Sequence, residues 1–232
     1  MKADLQTNQF SENQVQAVFL KASNSFPQCD LKGAYCDPTV PEPQEDAYLS
    51  ELHMGNILRY LKCCKLDANH HSTGVPRYPN LKQVFMSSRI YGGYANGQPA
   101  GHNCLMPEPF AYEEGFAVQR TIVAQIDRTI TDYAGDVRYP ESAPWFDWGP
   151  YLWASGPNLN SAGVNWCNGQ NDPRCANGNQ RDVRYGDLNA PNQYWGDFTH
   201  PTAQAAQKVA NELLKFIDKD TGSPWVRSWI VK

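Results

Sequence analysis

The chain has 232 residues, 41% of them apolar and 19% charged, which is the balance of a folded globular domain and not of a disordered segment. Its formal charge of -4, with no cluster of Lys and Arg, excludes nucleic acid as the main partner, because neutralising phosphates requires concentrated positive charge. No apolar run approaches the roughly 20 residues that cross a bilayer, so a membrane span is not expected, and Met1-Lys2-Ala3-Asp4-Leu5-Gln6 is too polar for a signal peptide.

The first predicted element is a strand over Val15–Leu20, a short apolar run rich in β formers that gives way to Lys21-Ala22-Ser23-Asn24-Ser25. A helix follows from about Gln44 to Leu66, with Leu49, Leu52, Ile57 and Leu61 on one face after a Pro-Glu-Pro start. A second buried strand covers Leu81–Ser87, and Gly92-Gly93 mark a loop after it. The next helix spans roughly Tyr112 to Tyr133, with Tyr112, Phe116, Val123, Ile126 and Ile130 as its apolar stripe. The aromatic segment Trp145–Trp153 reads as a strand or as loop packing. An Asn/Gly/Asp-rich excursion, 156–196, is either a binding loop or a disulfide-pinned surface insertion. A last helix begins at Pro201, where the missing N–H costs nothing, with Ala206, Val209, Ala210, Leu213 and Ile217 as its stripe.

Alternation of strand and helix predicts one α/β domain built on a parallel sheet with helices on both faces. Its functional loops then collect at the carboxyl ends of the strands. The loops after Leu20, after Ser87 and before Pro201 are the candidates.

Seven cysteines point to disulfides in an oxidising compartment. Cys29 with Cys36 and Cys167 with Cys175 are expected to close loops, and Cys63 or Cys64 could bridge to Cys104. Zinc is the competing reading, but there is no Cys-x-x-Cys and the five histidines are not at ligand spacing. Export by a leader outside this sequence, to the periplasm or beyond the cell, is the expected localisation.

The sharpest chemical signal is Asp197-Phe198-Thr199-His200-Pro201, which places a carboxylate and an imidazole on the loop entering the last helix. A His oriented by an Asp is the base half of a nucleophilic hydrolase. Other polar groups have plainer readings. Ser87 and Ser88 end a strand, where a serine usually satisfies nearby backbone, although either could serve as a nucleophile. Glu113 and Glu114 open a helix, where acids suit the positive dipole end. His70 and His71 lie on a polar loop, His53 on a helix, and His102 on a Gly/Pro loop, each without a recognisable partner.

Taken together, the apolar strand, the helix, Val84-Phe85-Met86-Ser87-Ser88-Arg89, Tyr112-Glu113-Glu114-Gly115-Phe116-Ala117, Trp148-Gly149-Pro150-Tyr151-Leu152-Trp153 and the Asp-x-x-His block resemble the SGNH (GDSL-like) hydrolases from about residue 14 onward. The likeness is to secreted bacterial members. It implies a three-layer, flavodoxin-like α/β/α fold and hydrolysis of esters, including acetylated carbohydrates, through a serine acyl-enzyme. In that scheme His200 is the base, Asp197 orients its ring, and no metal or cofactor is called for. The family's Gly-Asp-Ser-like nucleophile block and its oxyanion glycine are not visible, so an N-terminally truncated chain is expected. The family's Gly-x-Asn-Asp block falls by position on Lys21-Ala22-Ser23-Asn24, making Asn24 an oxyanion donor, with capping of a turn as its competing role. Gly169-Gln170-Asn171-Asp172 matches that block by letters but lies late in the chain, inside the insertion. A sheet lacking its first strands would expose an edge and favour self-association. The alternative function is a non-catalytic, secreted glycan-binding module on a degenerate hydrolase scaffold.

Overall fold

The protein is seen in a computed structural model that describes residues 2–23, 29–31, 45–63, 73–87, 91–92, 109–150, 153–154 and 203–218. In chain order its elements are α1 (Lys2–Thr7), a 3-10 turn (Glu12–Gln14), β1 (Ala17–Leu20), α2 (Asp46–Cys63), β2 (Gln83–Met86), β3 (Tyr91–Gly92), α3 (Phe110–Asp127), β4 (Trp145–Trp148), β5 (Trp153–Ala154) and α4 (Ala203–Ile217). The chain falls into two compact units. One comprises residues 1–24, 28–86 and 112–149, and the other residues 25–27, 87–111 and 150–232.

The first unit is α/β, with a three-stranded parallel sheet in the order β1-β2-β4. Strands that neighbour one another in sequence order need two crossovers of the same hand, and these place α2 and α3 on one face of the sheet. Register agrees with that placement. Val18 sits beside Val84 and Val84 beside Phe146, and all three are buried in one cluster with Met54 and Leu58 of α2 and Val118 and Ile122 of α3. The central strand is buried at every position, which is why Val84-Phe85-Met86 is apolar with no alternation and Gln83 is a buried polar residue. On the opposite face the Phe19 and Phe85 rings stack with centroids 5.1 Å apart.

Both crossover helices form where expected, but their buried faces differ from the expected ones. On α2 the buried set is Ala47, Ser50, Glu51, Met54, Gly55, Leu58 and Leu61, whereas Leu49, Leu52 and Ile57 are only half-buried. On α3 the difference is larger. Phe116 is 50% exposed, Val123 46% and Ile126 58%, while Ala117, Val118, Thr121, Ile122, Ala124 and Gln125 face the sheet. On α2 one small residue marks a close approach. At Gly55 an added Cβ would stand 1.9 Å from the Ala134 carbonyl oxygen, so α2 lies directly against the loop that follows α3. Arg59 extends this contact, its guanidinium donating to the carbonyl oxygens of Ala134 and Asp136 and to Asn56 Oδ1.

Polar groups then tie the two helices to each other and to β4. Arg120 Nε donates to Glu51 Oε2 at 2.8 Å, and the same guanidinium lies 5.1 Å from the Tyr48 ring centroid. The buried Gln125 donates from Nε2 to the carbonyls of Val137 (2.7 Å) and Pro144 (3.0 Å), and its Oε1 accepts from the Phe146 N–H at 2.7 Å. α3 ends at Asp127 and does not reach Tyr133, because Arg128 turns left-handed (φ 58°) to bond the Tyr139 carbonyl and Glu141. The Thr129 N–H then closes the helix onto the Ala124 carbonyl at 3.0 Å. In the loop before β4, Arg138 and the Ser142 hydroxyl converge on Asp136 and hold its carboxyl well below the ordinary carboxylate range.

The second unit contains β3 and β5, which pair in parallel with Tyr91 beside Trp153. Tyr91–Gly92 is therefore a short strand where the glycines suggested a loop. α4 begins at Ala203, and Val209, Ala210, Leu213 and Ile217 of its expected stripe are half-buried, while Ala206 is exposed. Cys29 and Cys63 are both disulfide-bonded. The other five cysteines lie outside the described residues, and none of the expected pairings is described. No helix among the described residues is long and apolar enough to cross a membrane.

Candidate functional site

Parallel strands direct their carboxyl ends to one edge, and in this sheet that edge opens onto a cavity of about 400 Å³ within the first unit. Each wall comes from a different element. Ala22 and Ser23 follow β1, Met86 ends β2, Ser50, His53, Met54, Asn56 and Ile57 come from α2, and Glu114 comes from the first turns of α3. Four of the five α2 residues, Ser50, His53, Met54 and Ile57, lie at i, i+3, i+4 and i+7, one helical flank turned toward the strand ends. Among the described residues the lining holds no Phe, Tyr or Trp.

Two of the polar groups of the lining are buried, and Ser23, His53 and Asn56 are exposed. Glu114 is 2% exposed and Ser50 7%, while His53 is exposed at the cavity's side. The Ser50 hydroxyl makes no hydrogen bond among the described residues. A helical serine ordinarily bonds the carbonyl one turn back, so leaving that hydroxyl unmade is a cost the fold carries.

Behind Glu114 the acids continue. Glu113, Asp46 and Asp30 are all buried, and Glu113 Oε1 accepts from the Leu31 N–H at 3.0 Å. Burial, reinforced by the carboxylates of Asp30 and Asp46, raises the Glu113 pKa above the ordinary glutamate value. The Leu31 bond and Arg120 offset this only in part. An acid whose folded pKa is raised stabilises the fold fully below its unfolded pKa of about 4.3 and loses that contribution as pH rises through the folded value. Glu113→Gln keeps an acceptor for Leu31 and removes the charge. Its denaturation midpoint at pH 7 is therefore expected above the parent's, with the gap closing as the pH approaches about 4, as urea titrations across that range would show.

The residues expected to carry chemistry fall differently. Asp197, His200 and Asn24 lie outside the described residues, as do Ser88, His70, His71, His102 and 156–196. The two residues that precede Asn24 in the chain, Ala22 and Ser23, line the cavity. Ser87 has the plainer of its two roles, its Oγ donating to the Pro150 carbonyl at 2.6 Å. Glu113 lies in the first turn of α3, as its reading as a helix-opening acid requires, both it and Glu114 are buried, and His53 belongs to the cavity. Sequence reasoning missed Ser50, His53 and Glu114. The available signal was the polar pair Ser50 and His53, set among Met54 and Ile57 on one helical flank.

Among the described residues no group of three or more His, Cys, Asp or Glu is arranged to hold a metal ion. Compared with protein-family models, curated proteins and solved structures, the chain matches none.

Proposed function

We propose that the protein is an ester hydrolase of the SGNH type, its fold the three-layer flavodoxin-like arrangement of that family and its substrates esters that include acetylated carbohydrates. One observation carries this reading. A β-α-β-α-β unit with strands in sequence order opens its carboxyl edge onto a cavity, and the loop leading into Asn24 forms part of the wall. In the proposed reaction a serine hydroxyl attacks the ester carbonyl as His200 takes its proton, and the alcohol leaves with that proton. His200 then activates water against the acyl-enzyme. Asp197 orients the ring and stabilises the imidazolium, and the Asn24 amide donates to the oxyanion. No serine among the described residues is assigned the nucleophile's part. Secretion or a periplasmic location belongs to the same proposal.

The test is p-nitrophenyl acetate hydrolysis by this chain and by a version extended upstream in its reading frame, each beside its His200→Ala variant. Turnover confined to the longer, His-intact protein supports the assignment. Turnover unchanged by His200→Ala, or none in either length, overturns it, and glycan binding without turnover points to the binding-module alternative. Loss of one oxyanion donor costs ~10²- to 10³-fold in kcat, so Asn24→Ala in the active form is expected within that range.

A further inference from the structure

We propose that the cavity at the carboxyl edge of β1 and β2 binds a short, uncharged aliphatic alcohol, its hydroxyl bonded to the buried Ser50 side chain and its stem lying on Met54, Ile57 and Met86. The inference rests on the cavity being a ligand site, as in the function proposed above, but not on hydrolase chemistry.

Ser50 carries the argument. It is 7% exposed, it lines the cavity, and its hydroxyl makes no hydrogen bond among the described residues. Both capacities of that hydroxyl are therefore unused, the O–H as donor and the oxygen as acceptor. A buried polar atom in this state marks a place where a ligand or an ordered water completes the bonding. An alcohol fits such a group. Its oxygen accepts the Ser50 proton, and its own proton goes to the Glu114 carboxylate in the same lining, which has lone pairs for it beside the partner it already holds.

The head is uncharged because charge around the cavity is already answered. Glu114, Asp46 and Asp30 each have a partner, and Arg120, which bonds Glu51 and acts electrostatically on Glu113, keeps a buried Nη2 beside these acids. An ammonium would find no unanswered carboxylate, and a carboxylate would meet like charge. Either would give up its hydration to a wall supplied chiefly by Ala22, Met54, Ile57 and Met86.

Exposure divides the remaining lining. Ser50, Met54, Met86 and Glu114 are buried, whereas Ser23, His53 and Asn56 are exposed and form a polar mouth. Asn56 is committed in part, its Oδ1 accepting from the Arg59 guanidinium at 2.8 Å. Bonds made at the mouth replace bonds to water and discriminate little between ligands, whereas a bond to Ser50 satisfies a buried group. Size agrees with a short stem. Ser50 and Ile57 lie seven residues apart on α2, ~10 Å along the helix axis, which takes a hydroxyl and a chain of about five carbons. The cavity's volume of about 400 Å³ admits such a molecule, and the two methionines can adapt to it. If the protein is an ester hydrolase, the alcohol released from its substrate belongs to this class.

Nuclear magnetic resonance of the full chain labelled with methyl-13C methionine tests this at the site itself. 1-Pentanol is expected to shift the Met54 and Met86 methyl signals, assigned through Met54→Leu and Met86→Leu, along one common saturation curve, and to bind more tightly than n-pentylammonium or pentanoate. Ser50→Ala should weaken 1-pentanol by ~2- to 10-fold, the equivalent of one neutral hydrogen bond. The same variant should leave 1-chloropentane, which has the stem but no hydroxyl, unchanged, whereas a serine with a merely structural role would alter both ligands alike. Ile57→Trp should weaken both by filling the stem's space.

Absence of any shift at Met54 and Met86, tighter binding of either charged analogue, or equal effects of Ser50→Ala on 1-pentanol and 1-chloropentane would overturn the proposal, the first outcome leaving water as the occupant. Should Ile57→Trp lack the parent's circular dichroism spectrum, the Ser50→Ala comparison decides alone. The titration involves no turnover, so failure of the esterase assay and failure of this site are separate outcomes.

Discussion

Gly55→Ala is expected to destabilise the protein more than any other single methyl addition in the described helices. An ideal Cβ at this position lies 1.9 Å from the Ala134 carbonyl oxygen and 2.7 Å from its carbonyl carbon, far inside any contact real atoms make. The obstacle is backbone and cannot rotate away. Moreover, the same loop is fastened to α2 by Arg59, which holds the Ala134 and Asp136 carbonyls, so retreat of the loop would break those bonds too. Alanine recovers ~1 kcal/mol of helix propensity over glycine, whereas forcing extra carbon into a packed interface costs ~1–3 kcal/mol and occasionally more. The clash here is at the severe end, and a net loss of at least ~2 kcal/mol is expected. Urea denaturation would show it as a lower midpoint at unchanged slope.

Two other glycines calibrate that expectation. Gly135 has φ +67° and a Cβ there would meet only the end of the Arg59 side chain, 3.0 Å away, which can move. Gly74 has φ +70° and nothing within 4 Å. Their replacement by alanine costs the left-handed conformation, ~1–2 kcal/mol, with little or no packing penalty. A ranking of Gly55 above Gly135 above Gly74 therefore checks the close approach itself. Equal losses at all three, or a stabilised Gly55→Ala, would show that α2 does not lie against the loop.

That close approach also explains which parts of the fold could be read from the sequence. The strands at Val15–Leu20 and Leu81–Ser87 and the helix that follows each of them are legible, because runs of β formers and helical periodicity are local properties. Which side of a helix turns inward is not local. On α3, periodicity selects Phe116, Val123 and Ile126, yet these are exposed. The interior takes Ala117, Val118, Thr121, Ile122, Ala124 and Gln125 instead. A polar residue such as Gln125 or Glu51 becomes a core residue only through partners distant in sequence, Phe146 and Arg120, which no periodic pattern encodes. The cavity was hidden for the same reason. Ser50 and Glu114 are 64 positions apart in the chain, as their numbers show, and only the packing of α2 and α3 brings them to one site.

Gln125→Leu tests the polar side of that packing, and its expected loss is of similar size. The side chain is 3% exposed and satisfies three backbone groups at once, the carbonyls of Val137 and Pro144 and the N–H of Phe146. The Phe146 N–H is the decisive one. In β4 the N–H groups of Trp145 and Gly149 bond the Lys82 and Met86 carbonyls, so alternation points Phe146 N–H away from β2, toward the outer edge of the strand. Gln125 thus does for this edge what a neighbouring strand would do. Leucine is similar in volume and adds apolar contact, but it leaves a buried donor and two acceptors unmade. Each such group costs ~1–3 kcal/mol, so a net loss of ~3 kcal/mol or more is expected. Gln125→Glu separates hydrogen bonding from shape. Ionised, it can still accept from Phe146 but faces two carbonyl oxygens with no proton to give. Protonated, it donates to one of them. Burial and those carbonyls raise its folded pKa, so its stability is greatest below about pH 4 and falls as pH rises through the folded value. Relative to the parent, Gln125→Glu should therefore be less damaging at pH 4 than at pH 7 in thermal melts, whereas the Gln125→Leu deficit should be nearly independent of pH. A Gln125→Leu protein as stable as the parent would mean that water reaches these groups and that the β4 edge is open to solvent.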